Sequence, residues 1–201
     1  MSYSTKDIAE LFPDLMQIKD ASLRDKVAAV WNEALTTGCG GQGWTFDELR
    51  SIPFTLLAGD INLTFIEHLN SCCRQCIEIA GVLKKSFGDR VPINLDYLIA
   101  GSLLADCGKP LEFDKDRNGK LIKGHFGDML RHPFSGVAMC YKHGIPAEVM
   151  HIVATHSFEG DPRPSGGVTR SIEAIIFHHA DFVDFDIAKY LGAMAASKAK
   201  K

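Results

Sequence analysis

Hydrophobic positions recur at helical spacing along most of this chain. Leu23, Val27, Val30, Trp31 and Leu35 form one stripe of an amphipathic segment that starts near Asp20. It stops at Thr37-Gly38-Cys39-Gly40-Gly41, where glycine can take the left-handed turn that ends a helix. Trp44 to Gly59, with Pro53 inside it, reads as a connector or short helical turns. From Leu63 the pattern becomes a series of helices. The first carries His68 and runs to about Lys85. The second starts near Asn94, a good N-cap residue, carries Leu98, Ile99, Leu103 and Leu104 up to Asp106, and ends at Gly108. Asn118-Gly119 between two short runs predicts a hairpin turn. A third helix begins at His132, with Pro133 in its first turn, and finishes at Gly144. Pro146 opens a fourth, through Val149, Ile152 and Val153 to His156. The stretch Glu159-Gly-Asp-Pro-Arg-Pro-Ser-Gly-Gly breaks the chain, and Ser171 caps a long last helix reaching about Met194.

The pattern therefore predicts an all-α bundle with a short β-hairpin. Residues 1–61 form an N-terminal helical arm or connector, residues 62–192 the main helical domain, and residues 193–201 a frayed basic tail. Such an arm either covers the core or makes a contact in a homodimer. At 201 residues, 46% hydrophobic and 23% charged, the chain has an ordinary globular balance around one core. A net charge of -3 gives no footprint for nucleic acid. No apolar run approaches the roughly 18 to 20 residues that span a bilayer. The N-terminus lacks the apolar stretch of a secretory signal, so a cytoplasmic location is expected.

Two motifs carry no metal. Cys73-x-x-Cys76 lies inside a helix without a partner pair, whereas a structural zinc site takes four ligands; the six cysteines read as reduced thiols. Asp114-x-Asp116-x-Asn118-Gly119 imitates a calcium loop, but its twelfth position is His125 rather than glutamate.

The chemistry lies elsewhere. His68, Asp106, His132, His156 and Asp181 stand 38, 26, 24 and 25 positions apart, which can put one metal-binding side chain on each of five successive helices. Asp106 follows Leu103-Leu104-Ala105, and Asp181 lies between Ala180 and Phe182. A carboxylate in such surroundings is costly to bury without a cation or donor. A shared metal site would satisfy all five side chains together.

In the order and spacing of these elements the chain resembles the HD-domain superfamily of metal-dependent phosphohydrolases, over residues 62–192. The resemblance rests on Glu67-His68-Leu69, Leu103-Leu104-Ala105-Asp106-Cys107-Gly108-Lys109, Arg131-His132-Pro133, Ala154-Thr155-His156-Ser157 and Ala180-Asp181. It implies an HD-like helical bundle around one or two divalent ions (Mn, Fe, Zn or Mg). Asp106 would bridge two ions, His132 and His156 would hold the second, and His68 and Asp181 the first. It also implies that Lys109 contacts an anionic substrate oxygen; the alternative is a solvated cation at a helix end.

Ala105 departs from the family, because it replaces the histidine of the HD pair. The site could hold one ion, the substitution could disable the enzyme, or a neighbour could substitute. His178 and Asp184 share the face of Asp181 on the last helix, while His179 points nearly opposite. His178 is thus a candidate replacement ligand or acid/base, or else a histidine beside the site or facing solvent; Cys72, one turn after His68, is another candidate ligand.

The expected activity is hydrolysis of a small anionic molecule, a phosphate ester first, by metal-activated water, with Asp106, Lys109 and His178 as catalytic candidates. The alternatives are an HD-type non-haem iron oxygenase cleaving a C–C or C–P bond, and a mononuclear hydrolase of a non-phosphate substrate. A third is a catalytically degenerate ligand-binding protein.

Overall fold

A computed structural model describes residues 2–54, 62–157 and 170–198. The glycine- and proline-rich stretch 159–167 lies outside the described residues, as do the end of the connector at 55–61 and the last three residues of the tail. Ten α-helices and one hairpin are described. They are α1 (Thr5–Leu11), α2 (Ala21–Thr37), α3 (Phe46–Ser51), α4 (Phe65–Phe87), α5 (Leu95–Leu104), α6 (Lys109–Glu112), β1 (Phe113–Lys115), β2 (Leu121–Lys123), α7 (His125–Met129), α8 (His132–Lys142), α9 (Ala147–Thr155) and α10 (Ile172–Lys198). The predicted all-α class holds. The strands pair antiparallel with Lys115 opposite Leu121, and the Asp116 carboxylate accepts from the amides of Asn118 and Lys120. That segment is a hairpin and not a calcium loop.

Local chemistry accounts for the helix starts. At α4 the Thr64 hydroxyl accepts from the Glu67 amide while the Glu67 carboxylate accepts from the Thr64 amide, a reciprocal cap that places His68 in the first turns. Asn94 caps α5 by accepting from Tyr97 N, and the Ser171 hydroxyl accepts from Ala174 N at α10. The last helix continues to Lys198, four residues past the expected end at Met194, so most of the basic tail is helical. The short helices α1, α6 and α7 have too few residues to show a periodic stripe.

The central element is α5. Residues Leu98 to Leu104 are buried without interruption, because α2, α4, α9 and α10 all pack against this one helix. The N-terminal segment belongs to the same core: Ile8, Leu11, Leu15 and Trp31 share one cluster with Leu103, Leu104, Cys107 and Val153. Trp31 Nε1 donates to Leu103 O at 3.0 Å, and Trp44 Nε1 donates to Pro110 O at 2.8 Å. The two indoles thus satisfy carbonyls on either side of the turn between α5 and α6, at a helix end where the backbone runs out of intrahelical partners. Gly108, within that turn, lies so close to α8 that a Cβ would strike the His132 carbonyl and Ser135 Oγ. All six cysteines are free and buried. Among the described residues no helix is long and apolar enough to cross a membrane.

Trp31→Phe keeps most of the ring volume but leaves the Leu103 carbonyl without its donor. It is expected to lower stability by about 1–3 kcal/mol in chemical denaturation, the cost of an unsatisfied buried group.

Candidate metal centre

Asp106 lies on the turn after α5, His132 opens α8, His156 follows the end of α9, and His68 and Asp181 come from α4 and α10. The structure brings all five together. Asp106 Oδ1 stands 3.2 Å from His132 Nε2 and 3.4 Å from His156 Nε2. These two ring nitrogens are 3.2 Å apart. The other oxygen, Oδ2, is 2.8 Å from Lys109 Nζ and 3.7 Å from His68 Nε2. His68 Nε2 in turn is 3.1 Å from Asp181 Oδ1.

Groups behind the rings set their orientation. His132 Nδ1 is 3.1 Å from Glu112 Oε1, which also accepts from the His132 amide and from Arg131 Nε. His156 Nδ1 is 2.8 Å from the Val153 carbonyl. A ring that donates from Nδ1 presents a lone pair at Nε2, so both histidines offer acceptor atoms to Asp106. Three electron-rich atoms then face one another in a closed space. Asp106 Oδ1 is fully buried and accepts no hydrogen bond. A cation resolves this arrangement. Metal–ligand bonds of about 2.0–2.2 Å at tetrahedral angles separate donor atoms by roughly 3.3–3.6 Å, close to the spacings found. Asp106, His132 and His156 therefore fit a divalent ion.

The charges favour an ionised Asp106 and a neutral His132, and in the metal-free chain they favour a proton on His156. Burial opposes ionisation of Asp106, but the Lys109 ammonium and the two imidazoles more than offset it and hold its carboxyl well below the usual range. Burial lowers the His132 pKa despite the Glu112 carboxylate, favouring the neutral ring that a metal requires. For His156 the burial effect is overcome by Asp106, and its pKa is raised. His68 differs, with a carboxylate at each ring nitrogen: Asp181 at Nε2 and, 3.2 Å from Nδ1, Asp184. Burial works against its charge, yet these two partners raise its pKa.

The remaining candidates divide. Lys109 is at the centre, its ammonium 5.6 Å from the ring centres of both Phe54 and Phe65. His178 is buried and His179 exposed, and the His178 ring packs on Phe182 with centroids 4.5 Å apart. His178 belongs to neither group of three ligand-type side chains found among the described residues. Ala105 is completely buried in an apolar cluster with Cys72, Phe177 and Ala180. Glu112 was not legible as a site residue, since its only sequence signal is an acid twenty positions before His132.

A cavity of about 310 Å³ opens onto this centre. Lys109, Lys123 and Arg131 supply cations to its wall, and Phe54, Phe113 and Phe185 supply apolar surface.

The sequence profile of the HD domain matches residues 71–186. The chain belongs to the HD-domain family. The matched stretch holds Asp106, His132, His156 and Asp181, and His68 lies three positions before it. Over 125 residues the chain is 40% identical to the dihydroneopterin 2',3'-cyclic phosphate phosphodiesterase of Methanocaldococcus jannaschii. That alignment covers 61% of this chain and 46% of that protein, so the chain matches a little under half of its relative. No solved structure matches significantly. Ala105, which the sequence pattern alone sets at the histidine of the HD pair, lies in the apolar cluster with Cys72, Phe177 and Ala180.

Glu112→Gln keeps the shape of the side chain but removes the charge that orients His132. Divalent metal affinity, measured by competition with a chromophoric chelator, is expected to fall roughly 10–100-fold.

Proposed function

We propose that this HD-domain protein is a metal-dependent hydrolase of small phosphate esters, and that Asp106, His132 and His156 hold its ion. The observation that carries this reading is the orphaned Asp106 Oδ1 facing two Nε2 atoms at the floor of a cavity whose wall carries Lys109, Lys123 and Arg131. The relative's name as a 2',3'-cyclic phosphate phosphodiesterase supports the same chemistry. When bound, the ion lowers the pKa of a water and offsets charge that develops on the phosphoryl oxygens.

The chain's own residues do the rest. Lys109, held by Asp106 Oδ2, presents its ammonium to a phosphoryl oxygen. Lys123 and Arg131 offset the remaining negative charge, and Arg131 is steadied by Glu112. Phe54, Phe113 and Phe185 receive the uncharged part of the substrate and exclude water from the reacting end. His68 and Asp181 share a proton at Nε2 beside the phosphoryl site. His178 packs on Phe182 and in this reading supports α10.

The test is a screen of metal-loaded protein (Mn²⁺, Fe²⁺, Zn²⁺, Mg²⁺) against 2',3'-cyclic phosphates and aryl phosphate esters. Turnover is expected with at least one ion and is abolished in Asp106→Asn, because that change removes charge from the atom shared with both histidines. Lys123→Ala and Arg131→Ala are each expected to lower kcat/KM by about tenfold or more, the order of one lost charge-assisted contact. No hydrolysis with any of the ions would overturn the proposal. A second reading rests on the ligand set alone: two histidines and one carboxylate also suit an iron oxygenase. Dioxygen consumption by the ferrous protein, without phosphate release, would favour it.

A further inference from the structure

On the far side of His68 from Asp181 lies a second set of ligand atoms. His68 Nδ1, Cys72 Sγ and Asp184 Oδ2 form a triangle with edges of 3.4 Å for Cys72 to His68, 3.7 Å for Cys72 to Asp184 and 3.2 Å for His68 to Asp184. We infer that His68, Cys72 and Asp184 form a second, thiolate-containing site for a transition-metal ion such as zinc, iron or cobalt.

Four observations converge on this. Bonds of about 2.0–2.3 Å to nitrogen, oxygen and sulfur in tetrahedral arrangement give edges of roughly 3.3–3.6 Å, close to those found. A neutral His68 ring that keeps its proton on Nε2 donates it to Asp181, which leaves the Nδ1 lone pair directed at Cys72 and Asp184. Asp184 is held as a ligating carboxylate commonly is: its other oxygen accepts from Ser71 Oγ at 3.1 Å and from Gln75 Nε2 at 2.8 Å. Finally, a cavity of about 180 Å³, with Glu67 on its wall, reaches His68 and Asp184 and gives an ion a way in.

The site also gives Ala105 a context. On the Asp106 side of His68, Oδ2 is already paired with the Lys109 ammonium, and Ala105 offers no donor atom. His68 finds its other ligand-type neighbours through Nδ1 instead. A soft sulfur donor selects zinc, iron or cobalt over magnesium or calcium, and binding would displace the thiol proton that burial otherwise retains. The inference does not depend on the phosphate chemistry proposed above, since it concerns ion binding alone.

The test loads the full chain with Co²⁺ and records metal content together with the near-ultraviolet thiolate-to-cobalt charge-transfer band. Two cobalt ions per chain and a clear band are expected. Cys72→Ser should remove the band and one ion, whereas Cys76→Ser should keep both. Asp184→Ala should weaken the sulfur-bearing site by more than the roughly 10–100-fold seen when a group that only orients a ligand is lost. His132→Ala should spare the band. A wild-type protein that binds cobalt without the band, or a band that survives Cys72→Ser, would overturn the site. If Cys72→Ser does not fold, X-ray absorption of the zinc-loaded wild type decides: a sulfur neighbour at about 2.3 Å supports the site, and a shell of nitrogen and oxygen alone overturns it.

Discussion

A single buried carboxylate organises this protein. Asp106 sits at the end of a helix covered on all sides, where a charge is costly to desolvate. Its two oxygens meet that cost differently. Oδ2 pairs with Lys109, while Oδ1 receives no donor and faces two imidazole nitrogens. The folded chain thus holds a negative atom in a place that suits a cation. The position of α8, the closeness of Gly108 and the outer contacts of His132 all bear on that atom.

The N-terminal segment shares in this organisation. Trp31 and Trp44 reach from the first third of the chain to the carbonyls of Leu103 and Pro110, which bracket Asp106 and Lys109. A rigid turn is what a buried ligand needs, because an ion site tolerates only small errors in donor placement. The same segment fills the core beneath α5 with Ile8, Leu11 and Leu15. Packing and site geometry therefore come from one set of contacts.

Carboxylates behind the histidines distinguish the two halves of the site. Glu112 behind His132 turns its ring toward Asp106, and a backbone carbonyl does the same for His156. His68 lies between Asp181 and Asp184, so its ring is anchored from both ends. An alanine at position 105 is consistent with this asymmetry: the apolar cluster closes around it, and the polar neighbours of His68 lie on α4 and α10.

Much of this was readable from sequence. Helical periodicity, the Asn94 and Ser171 caps and the Asn118-Gly119 turn are local signals, and they marked the bundle, its helix starts and its hairpin. The five spaced ligand-type residues were visible because an acid or histidine buried on an apolar helix needs a polar partner. What sequence could not decide is whatever depends on long-range approach. His178 has the helical phase of Asp181, but phase gives only a side of a helix; the crossing of α4 and α10 sets Asp184 against His68, and the His178 ring packs on Phe182. Glu112 and the two tryptophans act across 20, 66 and 72 positions. Such contacts leave no periodic trace, because they arise only when the bundle closes around α5.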